Sequence, residues 1–174
     1  MNTRDEQTDK LLQRKLTRLR GYDYSTPGYY FITICTKDKQ SLFWKEKSDN
    51  CINPQLSEYG KIADEAINSI TSYYPNVKID KYVIMDNHIH MILIIMVDDD
   101  IDNVQMISAP TIMRVVGQMK RWISKQIGFS IWQKSFYEHI IRSDSDYKIK
   151  AEYIMNNPLS RNIKMMTSSH PDDI

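Results

Sequence analysis

Hydrophobic positions along the chain recur with two different periods, and the switches between them predict its elements. Gly28 to Thr36 is dense in aromatic and β-branched residues and predicts a first strand. From Tyr59 the spacing lengthens. Tyr59, Ile62, Ala63, Ala66, Ile67 and Ile70 fall on one helical face, Ser57 can cap that helix, and Tyr74-Pro75-Asn76 stops it. Val77 to Met85 predicts a second strand, with Val77, Ile79, Lys81, Val83 and Met85 on one face. Asp86-Asn87 has turn chemistry, and His88 to Val97 predicts a third strand, antiparallel to the second because the connection is so short. The acidic stretch Asp98 to Asn103 predicts a loop. A second helix is expected from about Pro110 to Ile127, with the stripe Ile112, Val115, Met119, Ile123 and Ile127 and with Gly128 as its C-terminal cap. Phe136 to Ile141 predicts a fourth strand. A last helix begins near Asp144 or Ser145, either able to cap it, and is expected to end around Asn157, because the residue before Pro158 is pushed out of helical geometry.

The order β-α-β-β-α-β-α predicts an α+β fold. It would be an antiparallel sheet of about four to five strands in ferredoxin-like order, with helices packed mainly on one face and one further C-terminal helix. A length of 174 residues suits one domain. Residues 1–13 are expected as a flexible N-terminal segment, 14–160 as the domain and 161–174 as a C-terminal tail. The two cysteines, Cys35 and Cys51, have no CxxC spacing, so neither a disulfide framework nor a cysteine zinc site is indicated. The N-terminus lacks the apolar core of a signal peptide, and the run Ile89 to Val97 is far short of a membrane span. A cytoplasmic protein with no membrane partner is expected.

Candidate chemistry concentrates at Asp86-Asn87-His88-Ile89-His90. In a strand, side chains at i and i+2 share a face with Cα atoms about 6.6 Å apart. His88 and His90 therefore aim two imidazoles at one point, as two metal ligands must, at the mouth of a strand that is otherwise apolar. A third protein ligand is usual. The last helix can supply it, because Tyr153 and Asn157 are i and i+4 and lie on one face. If that face crosses the open side of the sheet, Asn157 offers an oxygen and Tyr153 hangs beside the ion as a candidate nucleophile. A free tyrosine, with a pKa near 10, is a poor nucleophile at neutral pH. A divalent ion offsets this by polarising a phosphoryl group. Taken singly, each residue also has a plainer role: a hydrogen-bonded structural histidine, a core tyrosine, a helix-stopping asparagine.

Net charge is only +1, but its distribution is uneven. Residues 112–150 hold eight bases (Arg114, Lys120, Arg121, Lys125, Lys134, Arg142, Lys148, Lys150) against three acids (Glu138, Asp144, Asp146). Lys10, Arg14, Lys15, Arg18 and Arg20 form a second basic run without acids. Such regions suit nucleic acid and equally suit a solvated helix face. Trp132, Phe136 and Tyr137 lie among Lys134, His139 and Arg142, a mixture of rings and bases compatible with single-strand stacking or with a strand packing its aromatics into the core.

The chain resembles the single-tyrosine HUH transposases, and within them the transposase-like proteins associated with repetitive extragenic palindromes. The resemblance runs in family order over roughly residues 14–160. It passes through Arg18-Leu19-Arg20-Gly21-Tyr22-Asp23-Tyr24, Gly28 to Thr36, Leu56 to Ala63, Tyr82 to His90, Ile131 to Arg142 and Glu152-Tyr153-Ile154-Met155-Asn156-Asn157-Pro158. One departure is Asp86, which stands where these proteins usually have proline.

The resemblance implies that His88 and His90 are the metal pair, Asn157 the third ligand and Tyr153 the nucleophile. The ion would be Mg2+ or Mn2+. The implied reaction is cleavage and rejoining of single-stranded DNA through a covalent 5′-phosphotyrosine, without a nucleotide cofactor. The implied partners are single-stranded DNA, DNA hairpins and a second copy in a homodimer, with a nucleoid association when bound. Arg114, Lys120, Arg121, Lys134, His139 and Arg142 are the candidate DNA contacts. Two other readings stay open. One is a relative that binds hairpins without cutting them. The other is a metal phosphodiesterase in which the histidines act as general acid and base and water is the nucleophile.

Overall fold

The computed structural model describes residues 18–19, 21–45, 54–97 and 110–167, with side chains described as far as Asn157. The expected N-terminal segment 1–13 and the loop at 98–103 lie outside the described residues, as do 168–174 of the expected tail. The elements run β1 (Gly28–Cys35), a 3-10 turn (Lys37–Lys39), α1 (Glu58–Tyr73), β2 (Val77–Ile84), β3 (His88–Ile95), α2 (Ile112–Ile127), β4 (Tyr137–Ile141) and α3 (Asp144–Thr167). The strands form one sheet in the order β2-β3-β1-β4, and every pairing is antiparallel. Among the described residues no helix is long and apolar enough to cross a membrane.

The central strands β1 and β3 are apolar on both faces, so each face needs a cover. Tyr30, Ile32 and Ile34 of β1 and Ile89, Met91, Leu93 and Ile95 of β3 point to one side, where they meet Ala63, Ala66, Ile67 and Ile70 of α1 and Ile112, Val115, Val116, Met119 and Ile123 of α2. The other side is covered by α3. Ala151 and Ile154 pack on Phe31 and Ile92, with Val83, Ile141 and Tyr147 at the margin. Two helices thus share one face and α3 crosses the open one.

Local chemistry sets the helix ends. Gly60 N–H donates to Ser57 Oγ (3.1 Å), and Ser57 Oγ–H donates to the Leu42 carbonyl (2.5 Å), so one hydroxyl caps α1 and ties it to the preceding segment. Thr111 caps α2, and Gly128 closes it in the left-handed region at φ 94°. At α3 the cap is Ser143, whose Oγ accepts from Asp146 N–H (3.2 Å), and not Asp144 or Ser145.

Two further expectations are corrected. Strand β2 does not keep Val77, Ile79, Lys81, Val83 and Met85 on one face. The register shifts between Ile79 and Lys81, so Asp80 is an extra residue, Ile79 and Tyr82 pack with the α1–α2 core, and Val83 turns to the α3 side. The bulge aims Asp80 at α3, where its Oδ2 accepts from Tyr147 Oη–H (2.7 Å). Nor does α3 end at Asn157: it runs through Pro158 to Thr167, so 161–167 are helix. Proline removes one backbone donor, but by then the helix has more than three turns behind it, and extending a helix costs far less than nucleating one.

Gly60 is required by a close approach. A Cβ there would meet the Phe43 carbonyl oxygen at 2.2 Å and Leu56 atoms at 3.0 and 3.1 Å. The Phe43 carbonyl cannot retreat freely, because it accepts from Ser57 N–H (2.8 Å) at the start of the same helix. Gly60→Ala is expected to cost about 1–3 kcal/mol, the usual penalty of overpacking, read as a lower urea midpoint with an unchanged slope.

Candidate active site

Register places the site residues before any side-chain contact is considered. Across the α3 side of the sheet, Val83, His90, Thr33 and Tyr137 form one row, and Lys81, Ile92, Phe31 and His139 the next. His88 stands opposite Cys35 at the end of β3. Period-two alternation does the rest: Ile89 and Met91 enter the α1–α2 core, and His88 and His90 are left on the other face.

The imidazoles of His88 and His90 lie 4.5 Å apart, centroid to centroid, and are nearly perpendicular at 76°. His90 is only 5% exposed. Burial, and behind it the neighbouring His88, pushes its pKa down to about 3, so it is neutral at physiological pH. Its Nδ1 lies 2.8 Å from Thr33 Oγ1, and its Nε2 is buried with no hydrogen-bond partner. His88 Nδ1 lies 2.6 Å from Asn87 Oδ1. Asn87 Oδ1 can only accept, so Nδ1 of His88 carries a proton. Thr33 Oγ1 can accept from Nδ1–H of His90, the tautomer that leaves the buried Nε2 of that ring as the base. Metal-binding histidines are oriented by such outer partners.

Tyr153 of α3 comes to this pair within a single chain. Its ring centroid is 5.1 Å from that of His90 and 6.2 Å from that of Phe31, edge-on to both. Phe31 stacks on His90 at 5.4 Å and 21°. Tyr153 is nonetheless half exposed, so its hydroxyl is open to a partner from solvent. Asn157, one turn further along the helix, has a buried side-chain amide nitrogen without a hydrogen-bond partner. Among the described residues no three His, Cys, Asp or Glu side chains gather at a point, so a third protein ligand to this pair would have to be of another type. The donor types fit a divalent ion: the imidazoles of His88 and His90 together with the side-chain amide of Asn157, whose oxygen would be the ligating atom.

The candidate DNA contacts divide into groups. Lys120, Arg121 and Lys134 line one groove of ≈ 500 Å³ together with Arg18, between α2 and the segment leading to β4; Arg114 does not line it. Within that groove Lys120 is partly a structural tie: its ammonium donates to the Gln133 carbonyl (2.8 Å), and burial lowers its pKa. His139 lies on the α3 side, where its Nε2 is 2.7 Å from Asp146 Oδ2. Arg142 is exposed beside the start of α3. Of the two readings open for Trp132 and Phe136, core packing holds. Both are buried in the α1–α2 core, where Trp132 packs on Phe43 and donates from Nε1 to the Lys120 carbonyl (3.0 Å). Tyr137 is exposed.

Sequence reasoning missed Thr33, Asn87, Phe31 and Lys150, whose ammonium sits 5.2 Å over the Phe31 ring. Thr33 and Phe31 were findable only from the β1–β3 register. Asn87 was visible as a turn residue, but its contact with His88 was not. Asp86 anchors the turn instead of breaking it: its backbone carbonyl accepts from Leu42 and Phe43 N–H (2.8 and 2.9 Å), and its Oδ2 accepts from Ser41 (2.8 Å).

No protein-family model matches the chain. It is 34% identical over 169 residues to an uncharacterized protein of Haemophilus influenzae, covering 84% of this chain and 88% of that protein. It is 25% identical over 142 residues to a second protein of that organism, which bears the name of a REP-associated tyrosine transposase, covering 79% of this chain and 73% of that one. The fold is shared with the solved structure of a REP-associated tyrosine transposase bound to a REP hairpin, with a TM-score of 0.59 and 24% identity over 83% of this chain and 73% of that one. The chain belongs to one family with the first of these Haemophilus influenzae proteins, and in sequence and fold it resembles the REP-associated tyrosine transposases.

Proposed function

We propose that the protein is a transposase-like enzyme that cuts and rejoins single-stranded DNA beside a hairpin, with Tyr153 as the nucleophile. The observation that carries this reading is the meeting of the Tyr153 ring with His90, whose Nε2 is buried and unmatched. A core tyrosine would have no reason to be half exposed at that spot, and a structural histidine would have its second nitrogen bonded. The named transposase among its relatives, and the shared fold with a transposase bound to a REP hairpin, support the same reaction and partner class.

His88 and His90 through Nε2, with Asn157 through its amide, would hold Mg2+ or Mn2+. When bound, the ion supplies charge stabilisation on the phosphoryl oxygens. The chain's own residues do the remainder. Tyr153 Oη attacks the phosphorus and gives its proton to solvent; the bond to the 3′-oxygen breaks, and that oxygen takes up a proton as a free hydroxyl. The 5′-phosphate is left on Tyr153. A second 3′-hydroxyl attacking the phosphotyrosine reverses these bonds one for one, so no ATP is needed. Phe31, against both rings, keeps Tyr153 from swinging away and shields one side of His90 from water. The groove carrying Arg18, Lys120, Arg121 and Lys134 would take the DNA backbone. A water-nucleophile phosphodiesterase with the histidines as acid and base is disfavoured, because a ring that stays neutral to about pH 3 is a poor proton carrier near neutrality.

Incubation with a labelled hairpin bearing a flanking single strand and Mn2+ is expected to give a denaturation-resistant protein–DNA adduct. Tyr153→Phe should remove the adduct while hairpin binding persists; an adduct surviving in that variant would overturn the assignment. Loss of the outer partner should act on the ion itself. Thr33→Val, which keeps the shape and deletes the hydroxyl, is expected to weaken Mn2+ binding by ~10–100-fold in calorimetry. Unchanged affinity would remove Nδ1 of His90 from any orienting role.

A further inference from the structure

A pocket of ≈ 470 Å³ opens on the same face as the proposed cleavage site, lined by Tyr29, Ile141, Arg142, Ser143, Asp144 and Tyr147. Nothing in the cleavage chemistry uses it. Tyr29 is two residues before Phe31 on β1, so it shares the face of Phe31 and His90, and Ile141 is its partner on β4. Tyr147 is on α3, six residues before Tyr153, which is ~9 Å of helix. The wall is built in advance. The Tyr29 and Tyr147 rings meet edge to face at 5.7 Å and 78°, and Tyr147 is fixed from behind by its hydroxyl's bond to Asp80 (2.7 Å). Against that rigid support Tyr29 leaves 42% of its surface open.

We infer that this pocket seats one unstacked base of the DNA strand that runs to Tyr153. The inference rests on the proposed function. Its physical argument is separate: an exposed, braced ring beside Ile141 offers a stacking surface that any base can use. Charge alone does not explain the pocket, because Arg142 and Asp144 both line it. A bare phosphate therefore has little reason to enter, and the aromatic wall selects a base. Arg142, exposed at the rim, stands where the backbone of the seated nucleotide would pass. The ~9 Å between Tyr147 and Tyr153 places the seated base close along the strand to the phosphate that Tyr153 would attack.

The test uses the full chain and the hairpin with its single-stranded flank, carrying 2-aminopurine at each flank position in turn. The wild type is expected to change the fluorescence at one flank position. Tyr29→Phe should keep that signal. Tyr29→Ala should abolish it and weaken binding of the flanked hairpin by ~5- to 150-fold, with little effect on a hairpin that has no flank. Equal signal and equal affinity in Tyr29→Ala would overturn the inference, as would a loss that is the same with and without the flank. The two readings fail separately. Adducts that vanish in Tyr153→Phe together with indifference to Tyr29→Ala would leave the nuclease and remove the base seat. A Tyr29-dependent signal in a wild type that forms no adduct would do the reverse.

Discussion

Phe31 and Ile92 are large apolar side chains on the side of the sheet that α1 and α2 do not reach, and they must be kept from water. Ala151 and Ile154 supply that cover, and in doing so they fix the height and rotation of α3 over the strands. Fully burying such side chains is worth about 1.5–3 kcal/mol each. That is modest for a long helix, and three polar or aromatic ties add to it: Tyr147 to Asp80, Tyr29 against Tyr147, and His139 to Asp146. Tyr153 and Asn157 flank this seam on the helix. Where they stand is decided by apolar packing between their neighbours and the sheet.

The same packing sets the electrostatics. His90 is buried because Phe31 lies flat on it and Tyr153 closes its edge. Burial disfavours the imidazolium, so the ring keeps a free lone pair without needing a base to remove a proton. Thr33, its cross-strand partner, takes the Nδ1 side, and Asn87 does so for His88. The sheet thus orients both rings from behind while α3 closes over the front. Tyr153 stays half open to solvent.

Much of this was legible in the chain. The strand–helix order, the caps at Ser57 and Gly128, and the shared face of His88 and His90 follow from periodicity and local chemistry. Two failures came where a local rule met a tertiary contact. Period-two reading of β2 broke at Asp80, because a bulge there serves the bond to Tyr147. The stop expected before Pro158 did not occur, because an already established helix carries through it. Trp132 and Phe136 were ambiguous between stacking on DNA and filling the core, since composition is the same in both cases; their burial gives them to the core.

By itself, then, the sequence determined the fold class, the position of two imidazoles on one face of β3, and the placing of Tyr153 and Asn157 a turn apart on one helix. Each of these is a local property, set by backbone periods of two and 3.6 residues. Only the tertiary structure decided that α3 crosses the histidine side of the sheet and that Tyr153 meets His90 of its own chain. It alone showed that Thr33, Asn87 and Phe31 belong to the site. Those outcomes depend on strand register and on how Ala151 and Ile154 seat on Phe31 and Ile92. Contacts between residues far apart in the chain leave no periodic trace in it.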